Sequence, residues 1–258
     1  MKRFWLMIFF SVLILKCFTQ DVKRSMPAAK SPVKIYLTID DGPSTASTYI
    51  NSLAANDSLK INVFLVGDYA HQLEGEKSGT DLYHKNPFIE IGNHSYSHAS
   101  GHYRLYYRNP SAVLADFIRN NDSLGSQNQV ARLPGRNAWR VGTQKRSDLA
   151  DAERAADSLS AHGFSVFGWD LEWRAKEEDG TIQNAEYVIN RINEMVRQQA
   201  EMTAGHIVIL CHEVMFTTTY GKEQLASLLQ KISRRPDYRL EWLSRYPVAS
   251  PKIITQSP

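Results

Sequence analysis

Short apolar runs alternate along the chain with longer segments whose apolar residues recur at helical spacing. The short runs, bounded by turn residues, predict buried strands, and the longer segments predict amphipathic helices. Predicted strands cover residues 34–39, 61–66, 88–91, 130–133, 164–169 and 206–210. Predicted helices cover residues 45–56, 111–124, 147–162, 184–199 and 222–232. The repeated strand and helix units favour an α/β fold with parallel strands in one domain.

The amino-terminal segment has a charged start followed by an apolar stretch. Lys2 and Arg3 precede the apolar residues 4–15, and polar residues follow. This layout predicts a secretory signal peptide, and therefore a secreted or periplasmic protein. The stretch is shorter than the roughly 20 residues that span a bilayer, so we expect no stable membrane span after signal removal. A lipid anchor on Cys17 is disfavoured, because Lys16 fits a lipoprotein signal poorly.

Composition limits the number of domains and the class of partner. The chain has 258 residues, of which 43% are hydrophobic, and a net charge of +3 without a long basic run. This is enough chain for one large core, and it gives no indication of nucleic-acid binding. After signal removal Cys211 is the remaining cysteine, so we expect no internal disulfide and a buried thiol. The expected division is a signal peptide (1–19), a linker (20–32), one domain (33–232) and a C-terminal tail (233–258).

Two adjacent acids end the first predicted strand. Asp40 and Asp41 are followed directly by Gly42-Pro43. In a regular strand neighbouring side chains point to opposite faces, so both carboxylates can share one cavity only where the turn reorients the backbone. An isolated Asp-Asp-Gly-Pro sequence is also a common turn, in which the acid hydrogen-bonds nearby backbone N–H groups. A second polar cluster is needed to favour chemistry over turn formation.

Two histidines supply that second cluster. His94 and His98 are four residues apart, a spacing that on a helical turn places both imidazoles on one side. Two imidazole nitrogens and one carboxylate oxygen are the ligand set of a catalytic zinc site with an open position. The sequence therefore predicts a site for a divalent cation, most simply Zn²⁺ with Co²⁺ or Ni²⁺ as alternatives.

These motifs resemble those of the polysaccharide deacetylases, which contain the NodB homology domain and form carbohydrate esterase family 4. The family's Thr-Phe-Asp-Asp-Gly-Pro motif is matched at residues 38–43 with Ile39 in place of Phe, and its His-Ser/Thr-x-x-His motif is matched at residues 94–98. The resemblance implies a distorted (β/α) barrel. It also implies that Asp41, His94 and His98 hold the metal and that Asp40 is the general base.

The third and fourth family motifs are altered in this chain. Arg-Pro-Pro-Tyr-Gly corresponds to residues 132–136, Arg-Leu-Pro-Gly-Arg, so the resemblance implies that Arg132 braces Asp40 and that the Gly135 N–H binds the oxyanion. Asp-x-x-Asp-Trp corresponds less well to residues 169–173, Trp-Asp-Leu-Glu-Trp. If this segment is a strand, Asp170 and Glu172 share one face, and either could tune His212. Adjacency to Trp173 favours Glu172.

The fifth motif, Leu-x-His, is matched at the end of the last predicted strand. The resemblance makes His212 the general acid and implies that Leu210 and Trp173 line the pocket for the acetyl methyl group. The implied reaction is metal-dependent removal of N-acetyl groups from amino sugars of a peptidoglycan-like or chitin-like polysaccharide, with release of acetate.

Two other functions remain open at the level of sequence. An acetyl-xylan-type esterase or small-amide hydrolase would use the same site on another substrate, and a carbohydrate-binding protein without activity would explain the altered motifs. Retention of Asp40 and His212 argues against the second alternative. The aromatic and basic residues at 102–108 could contact sugar rings, although several could simply pack.

Overall fold

The computed structural model describes residues 31–72, 79–125, 129–176 and 181–248. The predicted signal peptide and residues 20–30 of the predicted linker lie outside the described residues. Within the described part of the chain, no helix is both long enough and apolar enough to cross a membrane.

Ten strands of the described residues form one sheet. They are β1 Val33–Gly42, β2 Ile61–Leu65, β3 Ile89–Asn93, β4 Val130–Ala131, β5 Ala138–Val141, β6 Gln144–Ser147, β7 Ser165–Val166, β8 Leu171–Glu172, β9 His206–His212 and β10 Tyr238–Leu240. The order is β6-β5-β7-β4-β3-β2-β1-β9-β8, with β10 also paired to β1. Only the β5 pairings with β6 and β7 are antiparallel among these strands. The predicted parallel α/β sheet is therefore confirmed.

Eight α-helices connect these strands in the described part of the chain. They are α1 Ser47–Asn56, α2 Gly67–Gln72, α3 Gly79–His84, α4 Tyr103–Tyr106, α5 Pro110–Leu124, α6 Ala150–Ala161, α7 Ala185–Gln198 and α8 Thr219–Ser233. The five long helices agree with the predicted segments. The predicted helix at 147–162 begins later, at Ala150, because residues 144–147 pair with β5 instead. The hairpin of β5 and β6 and the short helices α2, α3 and α4 were not predicted.

Successive side chains of the central strands belong to two different cores. Ile35, Leu37 and Ile39 of β1 pack in a cluster with residues of α1, α7 and α8. Tyr36 belongs instead to a cluster on the other face of the sheet, which includes Phe64 of β2 and residues of the β5 region. Because side chains alternate along a strand, Thr38 and Asp40 follow Tyr36 onto this inner face. The Asp40 carboxylate thus faces the concave side of the curled sheet.

The carboxy-terminal segment is part of the fold. Val33, Lys34 and Ile35 of β1 pair in parallel with residues 238–240 of β10, and Leu243 and Tyr246 are buried in the inner core. The prediction that a tail begins at residue 233 is therefore wrong for residues 238–246. Three alternating residues are too short a pattern to predict a strand, and they pair here with the start of β1, which β2 joins only from Thr38 onward.

Candidate active site

The two adjacent acids reach the same site because the strand that carries them is irregular. The pairing of β1 with β2 shifts between Ile39 and Gly42, which marks a bulge. Asp41 has φ 64°, in the left-handed region, so its side chain does not alternate away from Asp40. His94 Nε2 lies 3.6 Å from Asp40 Oδ2 and 3.3 Å from Asp41 Oδ1. Both carboxylates therefore face one imidazole, as the turn argument predicts.

The two histidines lie in a loop. Ser95 has φ 66°, and a short 3₁₀ helix begins only at His98, so the predicted helical turn is wrong. The loop is held by its own polar side chains. The Asn93 carboxamide oxygen accepts the Ser95 N–H at 2.9 Å, and the Ser95 hydroxyl accepts the His98 N–H at 3.0 Å. The ring centroids of His94 and His98 nevertheless lie 5.1 Å apart, which brings both imidazoles to the same site.

Three potential metal ligands converge at this site. Asp41, His94 and His98 each offer an atom within 4.8 Å of the others, and His98 Nε2 lies 3.0 Å from Asp41 Oδ1. His94 Nδ1 is 2.9 Å from the Arg132 carbonyl oxygen. Because that oxygen can only accept, Nδ1 carries the hydrogen in the neutral ring and the Nε2 lone pair faces Asp41. The buried Asp41 Oδ1 lies between the two imidazole Nε2 atoms, so this donor set fits a divalent cation.

The electrostatics of the site favour positive charge. Burial alone raises the pKa of Asp41, but hydrogen bonding and charge interactions with the two histidines outweigh it and hold the pKa far below its ordinary value. Burial lowers the pKa of His94, yet the negative charges of Asp40 and Asp41 raise it overall. The pocket is thus built around two anionic carboxylates, which a bound cation would neutralise.

Arg132 holds Asp40 from beneath the site. Its guanidinium is fully buried, and Nη1 donates to Asp40 Oδ1 at 2.8 Å and to the Thr38 hydroxyl at 2.6 Å. Nε and Nη2 donate to the carbonyl oxygens of Phe167 and Gly168. All the bonds run to fixed partners, so Arg132 orients the carboxylate and leaves Asp40 Oδ2 directed to the metal-ligand side. This agrees with the bracing role that the resemblance implies.

His212 lies beside Asp40 on the neighbouring strand. The two residues are register partners where β1 and β9 end, and side chains of such partners share a face. Leu210 is 3% exposed and lies on the same face of β9. His212 is half-buried, and its neighbour Val214 is 64% exposed at the rim. The general-acid role of His212 and the acetyl-pocket role of Leu210 remain predictions that these positions support.

Glu213 is a site residue that the sequence argument missed. It is fully buried, and Oε1 accepts hydrogen bonds from Ser44 N at 3.1 Å, from Ser44 Oγ at 3.2 Å and from the Ser47 hydroxyl. Burial raises its pKa. Glu213 therefore fastens the turn after Asp41 to the segment after His212. An acid placed directly after a strand-end histidine was the available signal.

Asp170 is wrongly assigned as a partner of His212. Its Oδ1 accepts the Met202 N–H at 2.7 Å and its Oδ2 accepts the Val208 N–H at 2.8 Å. Asp170 N also donates to Val208 O, four residues before His212, which corresponds to roughly 13 Å along the strand. The Asp170 carboxylate therefore connects the segment before β9 to the first half of that strand. Burial raises its pKa to about 6.

Glu172 occupies a better position for that role. It is the register partner of Leu210, so it lies on the face that carries His212. Its Oε2 pairs with Arg174 Nη2 at 2.8 Å in a partly exposed salt bridge. The tuning of His212 by Glu172 therefore stays a prediction.

Trp173 does not line the acetyl pocket. Its indole is fully buried in the cluster on the helix side of the sheet, where it packs against Phe216 with ring centroids 5.5 Å apart. Its Nε1–H donates to the Gln183 carbonyl oxygen at 2.7 Å. The predicted substrate contact is wrong, because strand alternation sends Trp173 and Glu172 to opposite faces.

Cys211 is buried on the helix side of the sheet, in the same cluster as Trp173. The prediction of a buried thiol is confirmed, and burial raises the pKa of this thiol well above the ordinary value.

Gly135 lies next to an aromatic ring from another segment. It is exposed with φ 61°, and no acceptor for its N–H is present in the part of the chain that the structure describes. A Cβ atom at this position would lie 3.3 Å from Tyr103 Cε1. The Tyr103 ring also meets His98 edge to face at 5.8 Å. Tyr103 thus supplies an aromatic ring where the family motif has its own tyrosine.

Comparison with known proteins agrees with this geometry. Residues 28–147 match the family model described as polysaccharide deacetylase. The chain is 23% identical over 193 residues to YheN of Bacillus subtilis, a protein assigned to the polysaccharide deacetylases, covering 71% of this chain and 59% of YheN. The chain therefore spans less than two thirds of the length of that relative.

Solved structures share the fold at low sequence identity. The catalytic domain of a peptidoglycan N-acetylglucosamine deacetylase from Eubacterium rectale superposes with a TM-score of 0.60 at 16% identity, covering 86% of this chain and 92% of that one. A family 4 pseudoenzyme from Bacillus anthracis superposes with a TM-score of 0.56 at 14% identity, covering 83% and 64%. The predicted distorted barrel of the NodB type is confirmed by these superpositions. With the motif residues gathered at one site, the comparisons show that the chain is similar to the polysaccharide deacetylase family, in its sequence over residues 28–147 and in its fold.

Proposed function

We propose that the protein is a metal-dependent hydrolase that removes N-acetyl groups from the amino sugars of a peptidoglycan-like or chitin-like polysaccharide. The observation that carries the proposal is the convergence of Asp41 Oδ1, His94 Nε2 and His98 Nε2 beside a second acid that Arg132 orients. Two nitrogens, one oxygen and open coordination positions suit Zn²⁺, with Co²⁺ and Ni²⁺ as alternatives. When bound, the cation would polarise the acetyl carbonyl and acidify a water.

Two residues of the chain, Asp40 and His212, carry out the proton transfers. Asp40 accepts the proton of the attacking water at Oδ2, because Oδ1 is occupied by Arg132. The Gly135 N–H donates to the oxygen that becomes negative in the tetrahedral intermediate. His212 donates a proton to the departing nitrogen, so that the C–N bond breaks with release of acetate and a free amine. Without that proton the amine would be a poor leaving group.

The substrate class and the place of action are also proposed. The peptidoglycan deacetylase among the similar folds supports an N-acetylated amino sugar, and the charged and apolar start of the chain supports action outside the cytoplasm. An acetyl ester or a small amide could enter the same site. A pseudoenzyme with this fold shows that loss of activity also occurs among related proteins. The intact pair of Arg132 and Asp40 favours catalysis here.

The test is acetate release by the purified full-length protein from N-acetylglucosamine oligomers, peptidoglycan fragments and acetylated xylan. We expect acetate release from the N-acetylated substrates. A chelator should abolish this activity, and added Zn²⁺ should restore it. His94→Ala should abolish it, whereas His162→Ala, which changes an exposed histidine directly after α6, should retain it. Chelator-resistant activity, or an active His94→Ala variant, would refute the proposal. Preference for the ester would identify an esterase, and binding without turnover would identify a lectin-like protein.

A further inference from the structure

A cavity of about 540 Å³ opens beside the candidate active site. Its lining comes mainly from the segment around α4 and from the residue after Gly135. The lining side chains are His102, Tyr103, Arg104, Leu105, Arg108 and Arg136. None of the residues that line it is acidic, although the whole chain has a net charge of only +3. The cavity therefore concentrates positive charge.

One wall of the cavity is shared with the reaction site. The ring of Tyr103 contacts the metal-ligand candidate His98 and lies against Gly135, whose N–H is the proposed oxyanion donor. Arg136 follows Gly135 directly and lies 5.7 Å from the Tyr103 ring centroid. A saccharide with one acetamido group at the metal site would therefore place its neighbouring ring near this cavity.

The three arginines differ in their pairing. Arg136 is held in a two-point salt bridge, with its Nε 2.9 Å and its Nη2 2.7 Å from the carboxylate oxygens of Asp151. Arg104 and Arg108 are exposed, and among the described residues no carboxylate lies within salt-bridge distance of either. Two guanidinium groups thus remain available for an external anion. Arginine suits a carboxylate, because its planar fork donates two parallel hydrogen bonds.

The segment that presents these arginines is fixed in place. Its backbone enters through three successive left-handed residues, His98, Ala99 and Ser100, with φ of 49°, 56° and 45°. Such a conformation persists only where surrounding contacts impose it. Those contacts come from Tyr106, which donates to Asp116 at 2.9 Å, and from Tyr107, which donates to the Pro134 carbonyl at 2.6 Å. The cavity wall is therefore largely preorganised for binding.

We propose that this cavity is a subsite for a carboxylate carried by the sugar unit next to the one that is deacetylated. Arg104 and Arg108 bind the carboxylate, and the Tyr103 ring provides a flat apolar wall for the sugar. The inference rests on the proposed deacetylase function and narrows its substrate to acidic glycans. A solvated basic surface is the alternative, and it predicts no discrimination between acidic and neutral substrates.

The experiment compares kcat/KM of the full-length protein on three oligosaccharides of equal length. One is a neutral N-acetylglucosamine oligomer, one alternates N-acetylglucosamine with a lactyl-ether sugar acid, and one alternates it with a uronic acid. The test variant is Arg104→Gln with Arg108→Gln. The control, Arg154→Gln, removes one exposed positive charge on α6, outside the cavity.

We expect the wild type to prefer at least one acidic oligomer by roughly tenfold or more, the size expected for one or two charge-assisted hydrogen bonds. The double variant should lose this preference, mainly through KM, and keep its activity on the neutral oligomer, while the control should change neither. The acidic oligomer that is preferred identifies the source of the carboxylate. Equal kcat/KM for acidic and neutral oligomers, or a double variant that keeps the preference, would overturn the subsite.

Failure of the proposed deacetylase function would give a different result from failure of the subsite. If none of the oligomers is deacetylated, the hydrolase proposal fails, and calorimetric binding of the same oligomers to the same variants decides the subsite. Tighter binding of an acidic oligomer that the double variant loses would support the subsite without catalysis. Equal binding of acidic and neutral oligomers would refute it.

Discussion

Replacement of Arg132 by methionine should destabilise the protein strongly while keeping a side chain of similar length. Arg132 is fully buried, and Asp40, which it pairs with at 2.8 Å, is 2% exposed. Removal of one partner of a buried ion pair leaves an uncompensated charge and costs about 3–5 kcal/mol. For a domain of this size that loss corresponds to a decrease in melting temperature of about 6–20 °C.

The matched control is Arg140→Met. Arg140 is also buried, at 4% exposed, and its Nε pairs with Asp157 at 2.6 Å. The Asp157 side chain is 47% exposed, so water can solvate its carboxylate when the guanidinium is lost. We therefore expect a smaller loss of about 1–2 kcal/mol, which is that of a few hydrogen bonds. Activity should be retained by Arg140→Met and lost by Arg132→Met.

The assay is urea denaturation followed by tryptophan fluorescence, at neutral pH and with a chelator, since a bound cation would partly neutralise Asp40. The free energy of unfolding is obtained from the midpoint and the slope, and an unchanged slope shows that the same transition is compared. A loss below about 1 kcal/mol for Arg132→Met, or equal losses for both variants, would refute the idea that Asp40 depends on this partner. Retained deacetylase activity in Arg132→Met would refute the orienting role.

Three further predictions address the metal, pH and packing. Zn²⁺ at about 100 times its dissociation constant should stabilise the wild type by about 2.7 kcal/mol in a thermal-shift assay; His98→Ala should lose this gain, while His162→Ala keeps it. Burial raises the native pKa of Asp170 from 3.8 to about 6, so the native state binds this proton more tightly than the unfolded state. The unfolding free energy should therefore fall by up to about 3 kcal/mol as the pH rises from about 4 to about 6. This decrease should be absent in Asp170→Asn when urea midpoints are measured across that range. An added Cβ at Gly42 would lie 2.0 Å from the buried Glu213 Oε2, so Gly42→Ala should cost about 1–3 kcal/mol in urea and weaken Zn²⁺ binding, and an unchanged midpoint would contradict the packing argument.

The local pattern of apolar and polar residues was sufficient to predict the long helices and strands. The helix over residues 110–124 begins where Asn109-Pro110 predicts, because the Asn109 side chain accepts the Ala112 N–H at 3.2 Å and proline occupies the first turn. Strand β9 likewise follows its apolar run. Both elements depend on side-chain periodicity and end signals that neighbouring residues supply.

Local pattern failed where distant parts of the chain decide the conformation. Residues 144–147 form a strand because β5 is beside them, and residues 238–240 form a strand because the first residues of β1 have no partner in β2. The adjacent residues Glu172 and Trp173 resemble a family motif, yet the sheet places one on the inner face and the other in the helix-side core. Adjacency in sequence is therefore a poor guide to which of them meets the substrate.

The sequence by itself determined the α/β class, the identity of the metal-ligand candidates and the order of the catalytic motifs. Residue type and spacing carry that information, because carboxylates and imidazoles are chemically suited to a cation wherever they converge. Only the tertiary structure decided how they converge. The bulge at Asp41 depends on its pairing with β2, the turn that follows it depends on Glu213, and the His94 ring depends on the Arg132 carbonyl oxygen. These partners are far away in sequence, so this geometry exists only when they are packed together.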